Sequence, residues 1–234
     1  MMPVFLVKSK SILLVIHAIG MLVLISQCQQ PQQIRGDDDN GGLTLPDGFE
    51  ALVVADTLGK ARHIAVNRNG DVYVKLRTPK AGGENVGLRD KDGDGRADII
   101  DYFGTYQGTG RYGTAMRIHN DYLYFTTAGE VYRLKLSRRR LVPKGDAELI
   151  LTDDYENAEH GFEHIAKPIA FDNEGHIFVP FGAPGDVCQV ENRKPGSPGQ
   201  DPCPELEMHG GVWRFDASKK KSDTNRRVSI CHWD

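Results

Sequence analysis

Residues 64–74, IAVNRNGDVYV, form the pattern of a short apolar strand, a polar turn and a second strand. The same unit returns at residues 116–125, MRIHNDYLYF, and at residues 169–179, IAFDNEGHIFV. From position 72 to the equivalent positions 123 and 177, the steps are 51 and 54 residues. Apolar residues alternate with a period of two and no 3.6-residue stripe is present, so the pattern predicts an all-β chain.

A further strand follows two of these hairpins, at residues 129–134, GEVYRL, and at residues 210–215, GGVWRF. Repeats of about 40–50 residues that each carry several short strands are typical of a β-propeller. The alternative is a β-sandwich whose hairpins resemble one another by chance. The sequence holds three to four such repeats, whereas a closed ring has about 4–8 blades. We therefore expect a partial propeller, either a fragment, which we favour, or one that closes by oligomerisation.

Composition excludes several other classes of protein. The 234 residues carry a formal net charge of −3, which argues against a dedicated nucleic-acid-binding protein, because such proteins usually have a strong basic excess. The 26 glycines and 12 prolines fit a turn-dense β protein. Neither the period of a collagen or coiled coil nor the bias of a disordered chain is present.

The N-terminus has the pattern of an export signal, predicted for residues 1–27, because a basic flank precedes the apolar run at 12–25. Cys28 follows in a context that resembles a bacterial lipobox, so we expect it to be lipidated; plain secretion and an uncleaved anchor stay open. Residues 28–44 are predicted to be a polar tether and 45–234 the partial propeller. The expected location is the periplasm or the outer membrane, with membrane contact only through the N-terminal lipid or anchor.

Three cysteines remain after Cys28. In an oxidising compartment Cys188 and Cys203 could form a disulfide across a Pro/Gly-rich insertion, which would leave Cys231 unpaired.

The clearest metal-binding pattern is residues 90–101, DKDGDGRADIID, in which Gly95 provides the sharp turn of an EF-hand-type calcium loop. Strands rather than helices are predicted on both sides, so the expected calcium would be structural. An ordinary polar turn is the alternative. Asp101 stands where an EF-hand has glutamate, so a weaker chelate is expected. The candidate ligands are Asp90, Asp92, Asp94, the Arg96 carbonyl, Asp98 and Asp101.

Residues 108–113, GTGRYG, match the dinucleotide fingerprint G-x-G-x-x-G. That site requires a following helix, whose N-terminus binds the pyrophosphate. Here a predicted hairpin follows instead, so we exclude a nicotinamide cofactor.

Residues 160–168, HGFEHIAKP, stand directly before the third hairpin and contain a candidate base, His164. A histidine can accept a proton near neutral pH, and Glu163 or Lys167 could tune it. A surface or capping histidine is the alternative.

Several motifs together resemble the soluble glucose/sorbosone dehydrogenase family of bacterial enzymes that use pyrroloquinoline quinone, and most closely its exported sorbosone dehydrogenase-like branch. The resemblance covers about three quarters of the chain. The stretches that carry it are 45–49 (LPDGF), 61–66 (ARHIAV), 88–98 (LRDKDGDGRAD), 164–172 (HIAKPIAFD), 182–184 (GAP), 196–204 (GSPGQDPCP) and 210–215 (GGVWRF).

The resemblance implies a six-bladed propeller with the quinone on its axis and a small sugar or polyol, such as an aldose, as substrate. It also implies that His164 takes the proton of a sugar hydroxyl while hydride passes to the quinone. The electron acceptor that would reoxidise the quinone is not indicated. Two other functions stay open: a lipoprotein propeller that binds carbohydrate or protein without turnover, and a calcium-dependent structural or adhesion protein.

The sequence also departs from the family pattern. Ala183 stands where the glucose dehydrogenases have an acidic residue that orients the base. In the family, the quinone-holding arginines and lysine and the cofactor-linked calcium site come from later blades, so no cofactor-holding residue is assigned before Asp234. Residues 226–234 do not match the expected strand, as in a truncated or frameshifted gene. We therefore expect the N-terminal portion of a dehydrogenase, inactive alone.

Overall fold

In the computed structural model, residues 34–104, 113, 115–153 and 164–220 are described, together with the backbone of 228–232. The compact unit spans Gly36–Asp234 and contains three four-stranded antiparallel sheets, each ordered as its strands follow in the chain. The strands of sheet 1 are β1 (Ala61–Val66), β2 (Val72–Lys80), β3 (Gly83–Arg89) and β4 (Ile99–Phe103).

Sheets 2 and 3 repeat this arrangement. Sheet 2 contains β5 (Met116–His119), β6 (Tyr122–Thr126), β7 (Glu130–Lys135) and β8 (Glu148–Thr152). Sheet 3 contains β9 (Ala170–Phe171), β10 (His176–Phe181), β11 (Gly211–Asp216) and β12 (Val228–His232). The helical pieces in the described part are two short 3-10 turns, Asn40–Gly42 and Pro204–Glu207. No described helix is long and apolar enough to cross a membrane.

All three predicted hairpins are confirmed as the first two strands of the three sheets. Their turns need left-handed backbone, which Gly70 (φ 90°) and Gly175 (φ 91°) supply in sheets 1 and 3. In sheet 2, Asn120 (φ 47°) and Asp121 (φ 61°) supply it, two residue types that tolerate this region. The β5–β6 hairpin follows residues 108–113, the match to the dinucleotide fingerprint, of which 108–112 lie outside the described residues.

The sheets pack face to face through two apolar layers. Between sheets 1 and 2, Tyr73 and Phe103 meet Leu123, Phe125 and Leu134. A second layer joins sheets 2 and 3, and its buried members include Tyr124, Val131, Ile150, Ile177, Val179, Phe181, Trp213 and Phe215. Burial alternates along β10 and β11, because successive side chains of a strand point to opposite faces. Sequential antiparallel sheets stacked in this way are propeller blades, so the chain is all-β and forms a partial β-propeller with three described blades.

Residues before the predicted boundary at residue 45 make hydrogen bonds to residues that follow it. The Asp37 backbone N–H donates to the Ala51 carbonyl (2.8 Å), and the Asp37 carboxylate accepts from the Val53 backbone N–H (2.8 Å) and pairs with Arg96. The Asn40 side-chain oxygen accepts from the Ala51 N–H (3.0 Å). These bonds anchor residues 37–40 of the expected tether; residues 28–33 of the tether, Cys28 among them, and the signal lie outside the described residues.

One buried ion pair anchors the first turn of sheet 1. Arg89 donates from Nε and Nη2 to both oxygens of Asp71 at 2.7 Å, and the Asp71 side chain is 1% exposed. Burial alone would raise the pKa of Asp71, but the hydrogen bonds from Arg89 and Asn69 outweigh it and lower that pKa. A carboxylate held in this way stabilises the fold in its charged form.

We therefore expect Asp71→Asn to lower the free energy of unfolding by about 1–3 kcal/mol at neutral pH. The Asp71 pKa is lower in the folded than in the unfolded chain. Its contribution is therefore complete above about pH 4, near the unfolded value, and is lost as pH falls through the folded pKa. Urea unfolding of both proteins across acidic pH measures this. The matched control is Asp121→Asn in the equivalent turn of sheet 2, where the side chain is 79% exposed; an equal loss there would contradict the prediction.

Candidate functional site

His164 lies in the irregular segment that leads into β9, with its side chain 51% exposed. Its Nδ1 lies 3.0 Å from the carbonyl oxygen of Ala183. Because a carbonyl only accepts hydrogen bonds, Nδ1 must carry the proton. In the neutral ring, the lone pair is then on Nε2, which is the nitrogen that can act as a base. The backbone of Ala183 thus orients His164, although its side chain cannot.

Gly182 allows this close approach. A Cβ atom at position 182 would stand under 3.0 Å from the backbone oxygen and the Cβ of His164, distances that real Cβ atoms essentially never show. The glycine follows directly after β10, so the end of that strand fixes where the backbone of His164 lies. The absence of a side chain at 182 is therefore what lets residues 164 and 183 meet.

An acidic partner that the sequence did not indicate also contacts His164. Asp186 Oδ1 lies 3.2 Å from Nε2, and the Asp186 carboxylate also pairs with Arg193. The surrounding loop is bonded internally: the Asn192 side-chain oxygen accepts from the Asp186 N–H (3.3 Å), and Glu205 accepts from the Gly185 N–H (3.0 Å). At this distance the Asp186 carboxylate could form an ion pair with the imidazolium that His164 would become on accepting a proton.

The loop that carries Asp186 is closed by a covalent bond. Cys188 and Cys203, the pair expected from the sequence, are joined in the structure with Cα atoms 6.0 Å apart. The Gln200 backbone N–H donates to the Cys188 carbonyl (2.9 Å), and Gln189 pairs with Gly199. Side-chain contacts of Cys231 are outside the described residues, as are His160 and Glu163.

Lys167, considered as a group that could tune His164, is fully buried. Its Nζ lies 2.5 Å from Asp153 Oδ2, and His209 Nε2 lies 2.9 Å from Asp153 Oδ1. The carboxylate accepts from both groups, one from each side. The three residues come from the end of sheet 2, the segment that carries His164, and the chain just before β11.

The aspartate-rich loop connects β3 to β4, so it lies between strands as predicted. Ligand atoms of Asp90, Asp92 and Asp98 lie within 4.8 Å of one another. Asp94 and Asp101 are not members of that group. Asp94 Oδ1 accepts from the Arg96 N–H (2.7 Å), and Asp101 is part of β4, opposite Gly87.

Backbone amides hold the aspartates of this loop. The two oxygens of Asp90 accept from Gly93 (2.7 Å) and Gly95 (2.8 Å), and these bonds lower the Asp90 pKa. Asp98 accepts from the Lys91 N–H at 2.6 Å. The loop is therefore folded around its own carboxylates, three of which converge.

A second group of possible metal ligands, Asp172, Glu174 and His176, lies at the β9–β10 turn. Asp172 accepts from the backbone N–H groups of Glu174 (3.0 Å) and His176 (2.8 Å), and its other oxygen lies 2.7 Å from His176 Nδ1. This turn is at the opposite end of β10 from Gly182 and His164. Its polar groups are explained by the turn itself.

Comparison with known proteins gave matches only among solved structures: no family model and no curated protein sequence matches this chain. The PQQ domain of a pyranose dehydrogenase from Coprinopsis cinerea, in its holo form, aligns with a TM-score of 0.57 at 12% identity, over 79% of this chain and 42% of that one. The AA12 carbohydrate-active enzyme of Trichoderma reesei aligns with a TM-score of 0.55 at 13% identity, over 78% and 43%.

The chain therefore shares the fold of the PQQ domain of this pyranose dehydrogenase and of the AA12 enzyme. At 12% and 13% identity the likeness is one of fold, and it does not distinguish the sorbosone dehydrogenase-like branch from others. The chain spans about two fifths of the length of the solved structures it matches, 42% and 43%.

The described residues around His164 do not by themselves form a site for pyrroloquinoline quinone. The quinone carries carboxylates, which need cationic partners. The cations nearest to His164 along these contacts are already paired, Arg193 with Asp186 and Lys167 with Asp153. The residues described around His164 thus supply a candidate base, and the two cations of this group are already paired with carboxylates.

Proposed function

We propose that this chain is the N-terminal portion of an exported quinone-dependent sugar dehydrogenase in which His164 is the general base. The observation that carries the proposal is the set of contacts made by His164: Nδ1 lies 3.0 Å from the Ala183 carbonyl oxygen, Nε2 lies 3.2 Å from Asp186, and half of the side chain is exposed. The propeller fold shared with the PQQ domain of a pyranose dehydrogenase supports the reaction class by analogy.

The chemistry that follows from these residues is a proton transfer. A sugar hydroxyl at hydrogen-bonding distance from Nε2 donates its proton to the neutral ring, and the Asp186 carboxylate stabilises the imidazolium. The Ala183 carbonyl keeps Nδ1–H in place throughout, so the ring does not turn away. Oxidation also needs a hydride acceptor, which we propose to be pyrroloquinoline quinone; the natural electron acceptor behind it is not assigned.

The test uses the protein as its source cell produces it, purified from that cell. We expect aldoses or polyols to reduce an artificial dye only when pyrroloquinoline quinone and calcium are both supplied. No quinone-dependent turnover across the sugar panel would overturn the proposal. Tight sugar binding by calorimetry without turnover would instead favour a carbohydrate-binding propeller.

We also propose that the loop at residues 90–101 binds calcium, supported by its EF-hand-like spacing and by the convergence of Asp90, Asp92 and Asp98. A ligand that binds only the folded chain stabilises it, by about 2.7 kcal/mol at 100 times its Kd. Calcium should therefore raise the melting temperature and EDTA should lower it. Asp92→Asn should abolish the calcium-dependent shift, whereas Asp146→Asn, an exposed control in the β7–β8 connection, should keep it. Equal shifts in the two variants would contradict the site.

Export and lipidation at Cys28 are proposed from the sequence pattern alone. Intact mass measurement of the protein extracted from membranes of the source cell tests both. Loss of residues 1–27 with added acyl mass is the expected result, and an unmodified N-terminus would contradict it. Peptides that continue past Asp234 would identify the parent protein.

A further inference from the structure

A buried charged cluster, formed by Asp153, Lys167 and His209, connects the end of sheet 2 to the chain segments that precede β9 and β11. The side chains of Asp153 and Lys167 are 0% exposed, and that of His209 is 12% exposed. Lys167 Nζ and His209 Nε2 bind different oxygens of Asp153, at 2.5 and 2.9 Å. The carboxylate therefore joins a segment before β9 to a segment before β11.

Charges are buried in this way only when they compensate one another. Burial alone would raise the pKa of Asp153, but the His209 hydrogen bond and the Lys167 charge outweigh it, so that pKa is lowered. Buried pairs are weak evidence for stability, because desolvation offsets their attraction. They do restrict geometry, since moving one member leaves an uncompensated charge inside the protein.

The cluster contacts both parts of the chain that hold His164 in place: the irregular segment that carries it and the end of β10. Lys167 is three residues after His164 in the same irregular segment. Its Nζ also lies 5.1 Å from the centre of the Phe181 ring, and Phe181 stacks on Trp213 at 5.3 Å. Phe181 directly precedes Gly182, against which the backbone of His164 rests.

We propose that Lys167, Asp153 and His209 are positioning residues for His164. They fix the segment that carries the histidine against the end of β10, so that Nδ1–H stays on the Ala183 carbonyl and Nε2 stays available. They act through the backbone and through Phe181, without contact with substrate. The catalytic consequence rests on the function proposed above, whereas the structural effect on His164 does not.

A second buried lysine in the same protein provides a matched control. Lys75 in sheet 1 is also 0% exposed and pairs with Glu84 at 3.1 Å. Glu84 lies on β3 of the same sheet, so this pair does not join the segment that carries His164. Lys75→Met and Lys167→Met remove the same charge from equally buried sites, but the ion pair of Lys75 stays within sheet 1, whereas that of Lys167 ties down the segment that carries His164.

The experiment is nitrogen NMR of the histidine-labelled full chain, without quinone or sugar. In the unchanged protein, neutral His164 should be almost entirely the Nδ1–H tautomer. Lys167→Met should reduce that population by about twofold or more. Lys75→Met should leave it unchanged, although it should also lower the melting temperature. Lys167→Arg, which keeps the charge, should restore the tautomer at least in part.

If Lys167→Met does not fold, His209→Leu and His209→Gln decide the question at a less buried site. The leucine removes the donor to Asp153 and should shift the His164 tautomer, whereas the glutamine keeps a donor and should not. A folded Lys167→Met or His209→Leu protein with unchanged His164 signals would overturn the inference. A shifted tautomer in a protein without dehydrogenase activity would leave the positioning role standing and remove the proposed reaction.

Discussion

We expect His164→Asn to lower kcat/KM for sugar oxidation by about 10²–10⁴-fold in the protein isolated from its source, the range that a general base contributes. Asparagine places an amide N–H near the position of Nδ1, so the hydrogen bond to the Ala183 carbonyl can be kept. It has no basic nitrogen in place of Nε2. The substitution therefore removes proton acceptance while preserving the contact that seats residue 164. Steady-state dye reduction over a range of sugar concentrations measures the effect.

Two further variants make this result specific. His119→Asn, at the last residue of β5, changes a histidine at the other end of the sheets and should leave kcat/KM within about twofold. Asp186→Asn should cause a smaller loss than His164→Asn, because the amide keeps the size of the side chain but not the charge that can stabilise an imidazolium. Equal activity of His164→Asn and the unchanged protein would exclude His164 as the base.

The sheets could be predicted because their information is local. Each hairpin is specified by two apolar runs and a turn of Asn, Asp or Gly, and these residues specify the left-handed backbone that a short turn needs. The faces of β7 and β11 could also be assigned, since alternation puts Trp213 and Phe215 on one side of their strand. The alternation of apolar residues along a strand does not predict which neighbouring sheet packs against which face.

The environment of His164 could be predicted only in part, because its partners are distant in sequence. Asp186 could not be predicted, because the family pattern places the acidic residue at position 183, where this chain has alanine. In the structure His164 instead contacts a backbone carbonyl, which has no sequence signature, and a carboxylate held by a loop. Lys167, Asp153 and His209 are likewise separated along the chain and meet only when sheets 2 and 3 pack.

The aspartate-rich loop shows the limit of spacing as evidence. Its position between strands follows from the sequence, and three of its carboxylates converge. An EF-hand loop ends at the start of a helix, which brings position 12 back toward the ion. Here position 12 is Asp101 inside β4, where the strand pairing with Gly87 decides the direction of the chain. The flanking element therefore changes what the same spacing can bring together.

Gly182→Ala is expected to reduce both stability and activity, with the larger effect on activity. The new methyl group would collide with the backbone oxygen and the Cβ of His164, and backbone atoms cannot rotate away as a flexible side chain would. Overpacking of this kind costs about 1–3 kcal/mol of unfolding free energy. A displacement of His164 by about 1 Å is enough to lower the rate of the proton transfer by roughly 10²-fold. Urea unfolding and dye reduction on the same preparation measure the two effects.

The matched control is Gly199→Ala, because a Cβ at position 199 meets nothing within 4 Å and the glycine is not in left-handed backbone. Both changes add one methyl group and reduce the freedom of the unfolded chain equally, so that contribution cancels between them. Any difference then reports the contact with His164 alone. A Gly182→Ala protein as stable and as active as Gly199→Ala would mean that His164 is not seated against the end of β10. A lower kcat with unchanged KM would mean that the contact between Gly182 and His164 positions the base and not the sugar. Sugar binding would then be intact while proton transfer failed.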